Sequence, residues 1–204
     1  MRIVLVYHDP GLNEGFKLID SLASKIEMLT GLKVSSYPIS SIVEETADIG
    51  DGDVVFALLP FRGGHLAQVR EYATKRGALL AGKIPLDIIA RRVAEKLLGC
   101  RSVTILYWKA KRFIEEQEED LRSLVSYIRD ATGIEVKLKT SCSGGCSGCI
   151  VVSSFLPGRL TLEALESGGD VRVPYLFELI EEDVVAWVNR YLMGLDYLKA
   201  PKVS

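Results

Sequence analysis

The sequence predicts an α/β protein made of two similar lobes, each a mainly parallel sheet flanked by helices. Apolar segments of strand length alternate with segments whose apolar residues recur at helical spacing, and this alternation is typical of parallel sheets. The second half of the chain also repeats the pattern of the first. We therefore divide the chain into an N-terminal lobe, residues 1–99, and a C-terminal lobe, residues 100–204.

The N-terminal lobe opens with an apolar strand over residues 3–7, which ends at His8. The segment that follows predicts a helix, because its apolar residues recur at helical spacing and Gly31 fits the position just after the last turn. The residues of this apolar stripe are Phe16, Ile19, Leu22, Ile26 and Leu29.

The rest of the N-terminal lobe continues the alternation. We predict a strand over residues 33–39 with Pro38 at its end, a short helix around 41–47 and a strand over 54–59. A further helix closes near Gly99, and its apolar stripe consists of Ile89, Val93 and Leu97.

The C-terminal lobe repeats this pattern. Residues 102–108 match 2–8, residues 132–136 match 30–34, and residues 151–159 match 54–62. In this alignment His8 corresponds to Trp108, and His65 falls opposite Thr161-Leu162, so neither histidine has a counterpart. We therefore expect one site per chain, with the C-terminal lobe as a wall, although Trp108 on its own also fits a core aromatic.

Composition and charge argue against two classes of partner. A formal charge of −2 and a pI near 5.8 show no excess of basic residues of the kind that binds nucleic acid. We expect no membrane partner, because no apolar run approaches the roughly 20 residues that span a bilayer, and the N-terminus does not have the pattern of a signal peptide. These features predict a cytoplasmic protein, whose oligomeric state the sequence leaves open. The acidic run over 115–120 is expected to be the solvated start of a helix.

The two histidines of the chain both follow predicted strands. His8 closes the first strand, and His65 follows the strand over 54–59 across a short turn. Ligands of open α/β sheets bind at the carboxyl ends of the strands, so the two imidazoles could share one site. Imidazole is the commonest protein metal ligand and titrates near neutral pH. Two unrelated loop histidines are the alternative.

Three segments resemble the sirohydrochlorin cobaltochelatase family, the class II tetrapyrrole chelatases. LLPFRGGHL at 58–66 is similar to the motif after that family's third strand, and His8 matches its first histidine. GKIPLDIIARRVAEKLL at 82–98 resembles a later helix of the family. The resemblance covers residues 1–99 well and residues 101–195 more faintly, as the degenerate second lobe of two-lobed members.

The resemblance implies a chelatase that inserts a divalent metal, Co²⁺, Fe²⁺ or Ni²⁺, into a tetrapyrrole substrate. His8 and His65 would present the metal and accept the protons that leave the pyrrole nitrogens. Arg62 would pair with substrate carboxylates. Gly63 and Gly64 would let the backbone approach a flat ligand, although a plain tight turn explains them equally well. Arg62 also fits an ordinary surface residue.

The chain departs from the family at a glutamate expected near the end of the second strand. Tyr37-Pro38-Ile39 occupies that place, and Glu44 and Glu45 follow a turn or two later. Either could substitute, or both could be exposed helix residues. A non-catalytic protein of the same fold that binds a metal or a tetrapyrrole is therefore the alternative function.

Three cysteines within eight residues, separated only by Ser and Gly, form the second local signal. They are Cys142, Cys146 and Cys149, and Cys100 precedes the first strand of the C-terminal lobe. Reduced cytosolic cysteines favour a 4Fe–4S cluster, which some two-lobed members of the family carry in the second lobe. A zinc site and free or disulfide-linked cysteines remain alternatives. An Fe–S redox protein with incidental histidines is thus a third possible function.

Overall fold

The chain folds into two four-stranded sheets with helices packed against them, as seen in a computed structural model that describes residues 1–143 and 145–199. In the first lobe the elements are β1 Arg2–Tyr7, α1 Asn13–Thr30, β2 Val34–Pro38, α2 Ile39–Val43, β3 Asp53–Leu58, α3 Gly64–Lys75, β4 Leu79–Lys83 and α4 Leu86–Lys96. In the second lobe they are β5 Ser102–Leu106, α5 Ile114–Thr132, β6 Glu135–Lys139, β7 Cys149–Val152, α6 Arg159–Glu166, β8 Asp170–Val173 and α7 Phe177–Lys199.

The two sheets have the same topology, which confirms the predicted fold class. Their strand orders are β2-β1-β3-β4 and β6-β5-β7-β8, and every strand pair is parallel. The central pairs β1·β3 and β5·β7 correspond, so the carboxyl end of β1 is equivalent to that of β5. The boundary that we predict near residue 99 falls in the connection between α4 and β5.

Local predictions for the first lobe hold with corrections at the ends of elements. Gly31 takes a left-handed conformation, φ 67°, and its N–H bonds to the Glu27 carbonyl, so it ends α1 as expected. The middle of the apolar stripe is buried, whereas Phe16 and Leu29 are exposed. The short helix α2 begins two residues earlier than predicted, directly after Pro38.

The main hydrophobic core is shared by both lobes. It joins residues of β1 and β3 with residues of β5 and β7 in one cluster. The last helix, α7, packs against α1, and its Trp187 and Tyr191 contact Phe56 of β3 edge-on. In the same way, α4 of the first lobe packs against α5 and β8 of the second lobe. Although α7 has 23 residues, no helix within 1–143 and 145–199 is long and apolar enough to cross a membrane.

The cysteines form two disulfides, Cys100–Cys149 and Cys142–Cys146, instead of one metal centre. The strands explain this correction, because side chains alternate between the two faces of β7. Cys149 faces the shared core beside Cys100, whereas Cys142 packs on the opposite face with Leu106 and Ile150. The four sulfurs therefore do not converge, and the 4Fe–4S and zinc predictions give way to the disulfide alternative. The prediction that Cys100 and Cys149 are neighbours is correct, since their Cα atoms are 6.0 Å apart.

Candidate functional site

Two neighbouring strands bring His8 and His65 together. His8 follows β1 directly, and His65 is the second residue of α3, which begins after the turn that leaves β3. Because β1 and β3 pair in parallel, with Tyr7 beside Leu58, both chain segments leave the sheet at the same edge. His65 Nδ1 lies 2.9 Å from His8 Nε2, and the ring centres are 4.4 Å apart. The sequence prediction put both residues in one site, and the structure places them in contact.

The histidine pair opens into a cleft of about 680 Å³ between the two lobes. One wall is formed by the first lobe at the carboxyl ends of β1 and β3, over residues 8–11 and 58–68. The other wall is formed by the second lobe at the equivalent ends of β5 and β7, over residues 108–112 and 153–160. A cleft of this volume is in the range of small-molecule sites.

Both imidazoles are neutral near pH 7. His8 opens to the cleft on one side, but the protein surrounds the rest of the ring, and its pKa is lowered to about 4, mainly by this desolvation. The neighbouring imidazole contributes to the lowered pKa of His8, and the Asp9 carboxylate opposes both effects. Desolvation also lowers the pKa of His65, again opposed by Asp9. Each ring therefore has one nitrogen with a free lone pair, the form in which histidine binds metals.

The separation of the two nitrogens suits a common metal ion. Nitrogens that each lie about 2.0–2.1 Å from one ion, at tetrahedral or octahedral angles, are about 2.9–3.4 Å apart. The observed 2.9 Å between His65 Nδ1 and His8 Nε2 is at the short end of this range. Within the described residues, no group of three or more His, Cys, Asp or Glu side chains is arranged to hold a metal. Two protein ligands would leave at least half of the coordination positions of such an ion open.

Asp9 lines the cleft beside His8 and has a structural partner. Its carboxylate accepts hydrogen bonds from the backbone N–H and the hydroxyl of Ser40, in the first turn of α2. Glu45, in contrast, pairs with Lys75 at 2.7 Å, and neither Glu44 nor Glu45 lines the cleft. Among the described residues that line the cleft, Asp9 at the end of the first strand is therefore the one carboxylate.

Arg62 lines the cleft but is held from the second lobe. Its Nε and its backbone N–H both donate to the carboxylate of Asp120 in α5, at 2.8 and 2.7 Å, and one Nη donates to Glu119. Asp120 is 6% exposed and also contacts Lys83 Nζ at 3.3 Å, and Lys83 in turn donates to the Pro60 carbonyl. The ion pairs therefore fix the turn that carries His65.

The acidic run that opens α5 is not wholly solvated, contrary to the prediction. Gln117 and Asp120 are buried, while Glu118 and Glu119 are exposed. A signal for this lay in the sequence, because positions 117, 120, 121, 124 and 128 share one face of a helix. The polar character of Gln117 and Asp120 concealed the inward face.

Gly63 and Gly64 line the cleft beside His65 and contact the second lobe. A Cβ on Gly63 would lie 3.5 Å from that of Ala110, and one on Gly64 would lie 3.6 Å from that of Arg112. The lobes approach even more closely at Gly11, where a Cβ would lie 3.1 Å from the Cα of Gly158. The contacts at Gly63 and Gly64 are thus ordinary van der Waals distances, and Gly11 is the position of the three at which the approach of the lobes favours a residue without a side chain.

Trp108, the counterpart of His8, faces the cleft and is 44% exposed, so it is not a core aromatic. The guanidinium of Arg159 lies 4.5 Å from its ring centre. Arg159 and Leu160 are the first two residues of α6, as Gly64 and His65 are of α3. Counted from the first residue of each helix, the counterpart of His65 in the second lobe is thus Leu160. This is one position before the pair Thr161-Leu162 that the sequence alignment gave.

Solved structures that share this fold include two of the sirohydrochlorin chelatase SirB and one of CbiX. The chelatase SirB from Bacillus subtilis subspecies spizizenii in complex with cobalt superposes with a TM-score of 0.59 at 11% identity, covering 94% of each chain. SirB from Bacillus subtilis with Fe³⁺ gives 0.59 at 10% identity, covering 94% of this chain and 96% of that one. CbiX, described as the terminal enzyme of siroheme biosynthesis in denitrifying bacteria, gives 0.62 at 11% identity, covering 93% and 99%.

These likenesses confirm the predicted chelatase-like fold. No protein-family model and no curated protein matches the sequence. At 10–11% identity the likeness is one of fold, so function has to be argued from the site itself.

Proposed function

We propose that this protein inserts a divalent metal, Co²⁺, Fe²⁺ or Ni²⁺, into a tetrapyrrole of the sirohydrochlorin type. The observation that carries the proposal is the contact of His8 and His65, 2.9 Å between ring nitrogens, inside an interlobe cleft of a chelatase-like fold. The metal is a substrate in this reaction, and the two imidazoles present it to the macrocycle.

Two neutral imidazoles suit a metal that has to be released. They bind first-row divalent ions well but without the tenacity of thiolates, and the remaining coordination positions can pass to pyrrole nitrogens. When the ion enters, the hydrogen between His8 Nε2 and His65 Nδ1 moves to the far nitrogen of its ring, so that both lone pairs face the ion. The two protons that leave the pyrroles can then pass to the imidazoles as the metal departs, and from there to water, because the lowered pKa values make both rings release a proton near pH 7.

The turn before α3 would hold the macrocycle. In this proposal Gly63 and Gly64 offer backbone close to a flat ring. Arg62 offers a substrate carboxylate its Nη1, which makes no hydrogen bond within the described chain, while its other donors keep the turn in place. Arg62 thus combines substrate binding with positioning of His65.

The test is anaerobic metal insertion into sirohydrochlorin, followed by absorbance, with Co²⁺, Fe²⁺ and Ni²⁺ in turn. We expect His8→Ala and His65→Ala each to lower the rate by about 100-fold or more, because each removes a ligand. Glu71→Gln is the matched control, since Glu71 is exposed on the same helix as His65 and does not line the cleft. Near-normal turnover in either histidine variant would overturn the proposal.

A non-catalytic metal- or tetrapyrrole-binding protein is the second candidate. It is favoured by the residues Tyr37-Pro38-Ile39 at the end of β2, where the chelatase resemblance calls for a glutamate, and by the distance of Glu44 and Glu45 from the cleft. Tight binding of metal or macrocycle with no insertion by any of the three metals would support this candidate.

A further inference from the structure

The wall of the cleft opposite the histidines is rich in positive charge. Lys109, Lys111 and Arg112 line it with exposed side chains, and none of them forms an ion pair within the described part of the chain. Arg159 lines the same wall, and its one ion pair within the described residues is with Glu163 of its own helix. Of the lining residues that the structure describes, Asp9 is the one with a carboxylate, and this carboxylate is hydrogen-bonded to Ser40. A protein of net charge −2 therefore concentrates cations in its cleft.

The loop that carries Lys109, Lys111 and Arg112 has a backbone held by hydrogen bonds. The side chain of Gln117, buried in α5, donates to the Trp108 carbonyl and accepts from the Ala110 N–H, both at 2.8 Å. Ala110 in turn packs near Gly63 of the opposite lobe. The cations thus extend from an ordered loop into the cleft, which lowers the entropy lost when they bind a ligand.

Trp108 adds a flat apolar surface to the same wall. The Arg159 guanidinium lies over its ring, yet 44% of the residue remains exposed to the cleft. Aromatic rings stack on flat conjugated ligands, and a cation over the ring strengthens the site for an electron-rich partner. A ligand that satisfies this wall has a flat ring and several anionic groups around it, because one anion would leave most of the cations without a partner.

We propose that Trp108, Lys109, Lys111, Arg112 and Arg159, the second-lobe wall, form a binding site for a flat macrocycle that bears several peripheral carboxylates. Trp108 stacks on the ring and the four cations pair with carboxylates. This inference rests on the proposed function for the identity of the macrocycle, and it assigns the C-terminal lobe the selection of substrate by charge. Binding of the macrocycle to this wall requires no metal, so the inference can be tested by measuring binding without turnover.

The experiment measures binding of metal-free porphyrins that differ in carboxylate number. Uroporphyrin I carries eight carboxylates, coproporphyrin I four and deuteroporphyrin IX two, and their fluorescence reports binding in chelator-treated buffer. We expect affinity to fall in that order and to fall most with added salt for uroporphyrin, since ionic contacts are screened. The triple variant Lys109→Gln/Lys111→Gln/Arg112→Gln should bind uroporphyrin at least about tenfold more weakly.

The matched control removes the same charges elsewhere. Lys33→Gln/Lys96→Gln/Arg101→Gln changes three exposed residues that do not line the cleft, and it should alter uroporphyrin affinity less than about twofold. Equal affinity for the three porphyrins, or an equal loss of uroporphyrin affinity in the two triple variants, would overturn the proposal that the second-lobe wall binds the macrocycle. Absence of metal insertion together with intact preference for uroporphyrin overturns only the proposed function.

Discussion

The two lobes place different pairs of side chains at equivalent points of one topology. Where β1 ends and α3 begins, the first lobe sets His8 against His65. Where β5 ends and α6 begins, the second lobe sets Trp108 against Arg159. One pair consists of two imidazoles with adjacent ring nitrogens and the other of an aromatic ring with a cation over it, and both face the same cleft. A repeated fold has thus kept its architecture while its two edges differ in chemistry.

The lobes also differ in the connection between their second and third strands. The first lobe uses the short helix α2, whereas the second crosses from β6 to β7 through a glycine-rich segment closed by the Cys142–Cys146 disulfide. The second disulfide ties Cys149, at the start of β7, to Cys100, just before β5. A covalent tie therefore takes the place of apolar packing in a segment with few apolar side chains.

The largest effect on ligand binding is expected when the first lobe is given the residue of the second at one equivalent position. His65→Leu matches Leu160 and removes one of the two imidazoles, so Co²⁺ affinity should fall by about 100-fold or more. Competition with a coloured chelator measures this affinity without any tetrapyrrole. Unchanged Co²⁺ affinity, with Glu71→Gln as the reference, would show that the two edges do not differ in metal binding.

The two disulfides should contribute unequally to stability. In the chain-entropy description, closing the 49-residue separation of Cys100 and Cys149 is worth about 4 kcal/mol, and the 4-residue separation of Cys142 and Cys146 about 2 kcal/mol. Urea unfolding of the two double Cys→Ala variants checks this order. A larger loss from the Cys142/Cys146 variant would mean that the glycine-rich segment, and not the strand pair β5·β7, depends on its covalent tie.

The smallest effect concerns the ion pairs that join the lobes behind the cleft. Asp120→Ala leaves Lys83 and the Arg62 backbone N–H without their carboxylate, and we expect a loss of about 2 kcal/mol because Arg62 itself is partly exposed. Asp120→Asn keeps the shape and one acceptor, so it should lose less. Thermal unfolding compares the two variants, and an equal or larger loss in Asp120→Asn would contradict this role.

The sequence predicts the fold and the histidine pair because both follow from short-range patterns. Strand–helix alternation defines the parallel sheets, and residues that follow neighbouring parallel strands meet at one edge. The cysteine pairing, in contrast, depends on which side of the second sheet each sulfur lies, and spacing alone does not fix this. The roles of Asp120 and Gln117 were missed because polar residues are usually exposed. Asp120 pairs with Arg62, 58 residues away, and Gln117 bonds to the backbone of the loop that precedes its own helix.

The exchange of helices between the lobes, α7 onto the first sheet and α4 onto the second, has a consequence for how a ligand reaches the histidines. A hinge motion that swung the lobes apart would pull these helices out of a common interior and expose much of it to water. A ligand that avoids this cost would enter through the opening that the cleft already has. The first groups that it would meet there are the exposed side chains that line the cleft, Trp108 among them.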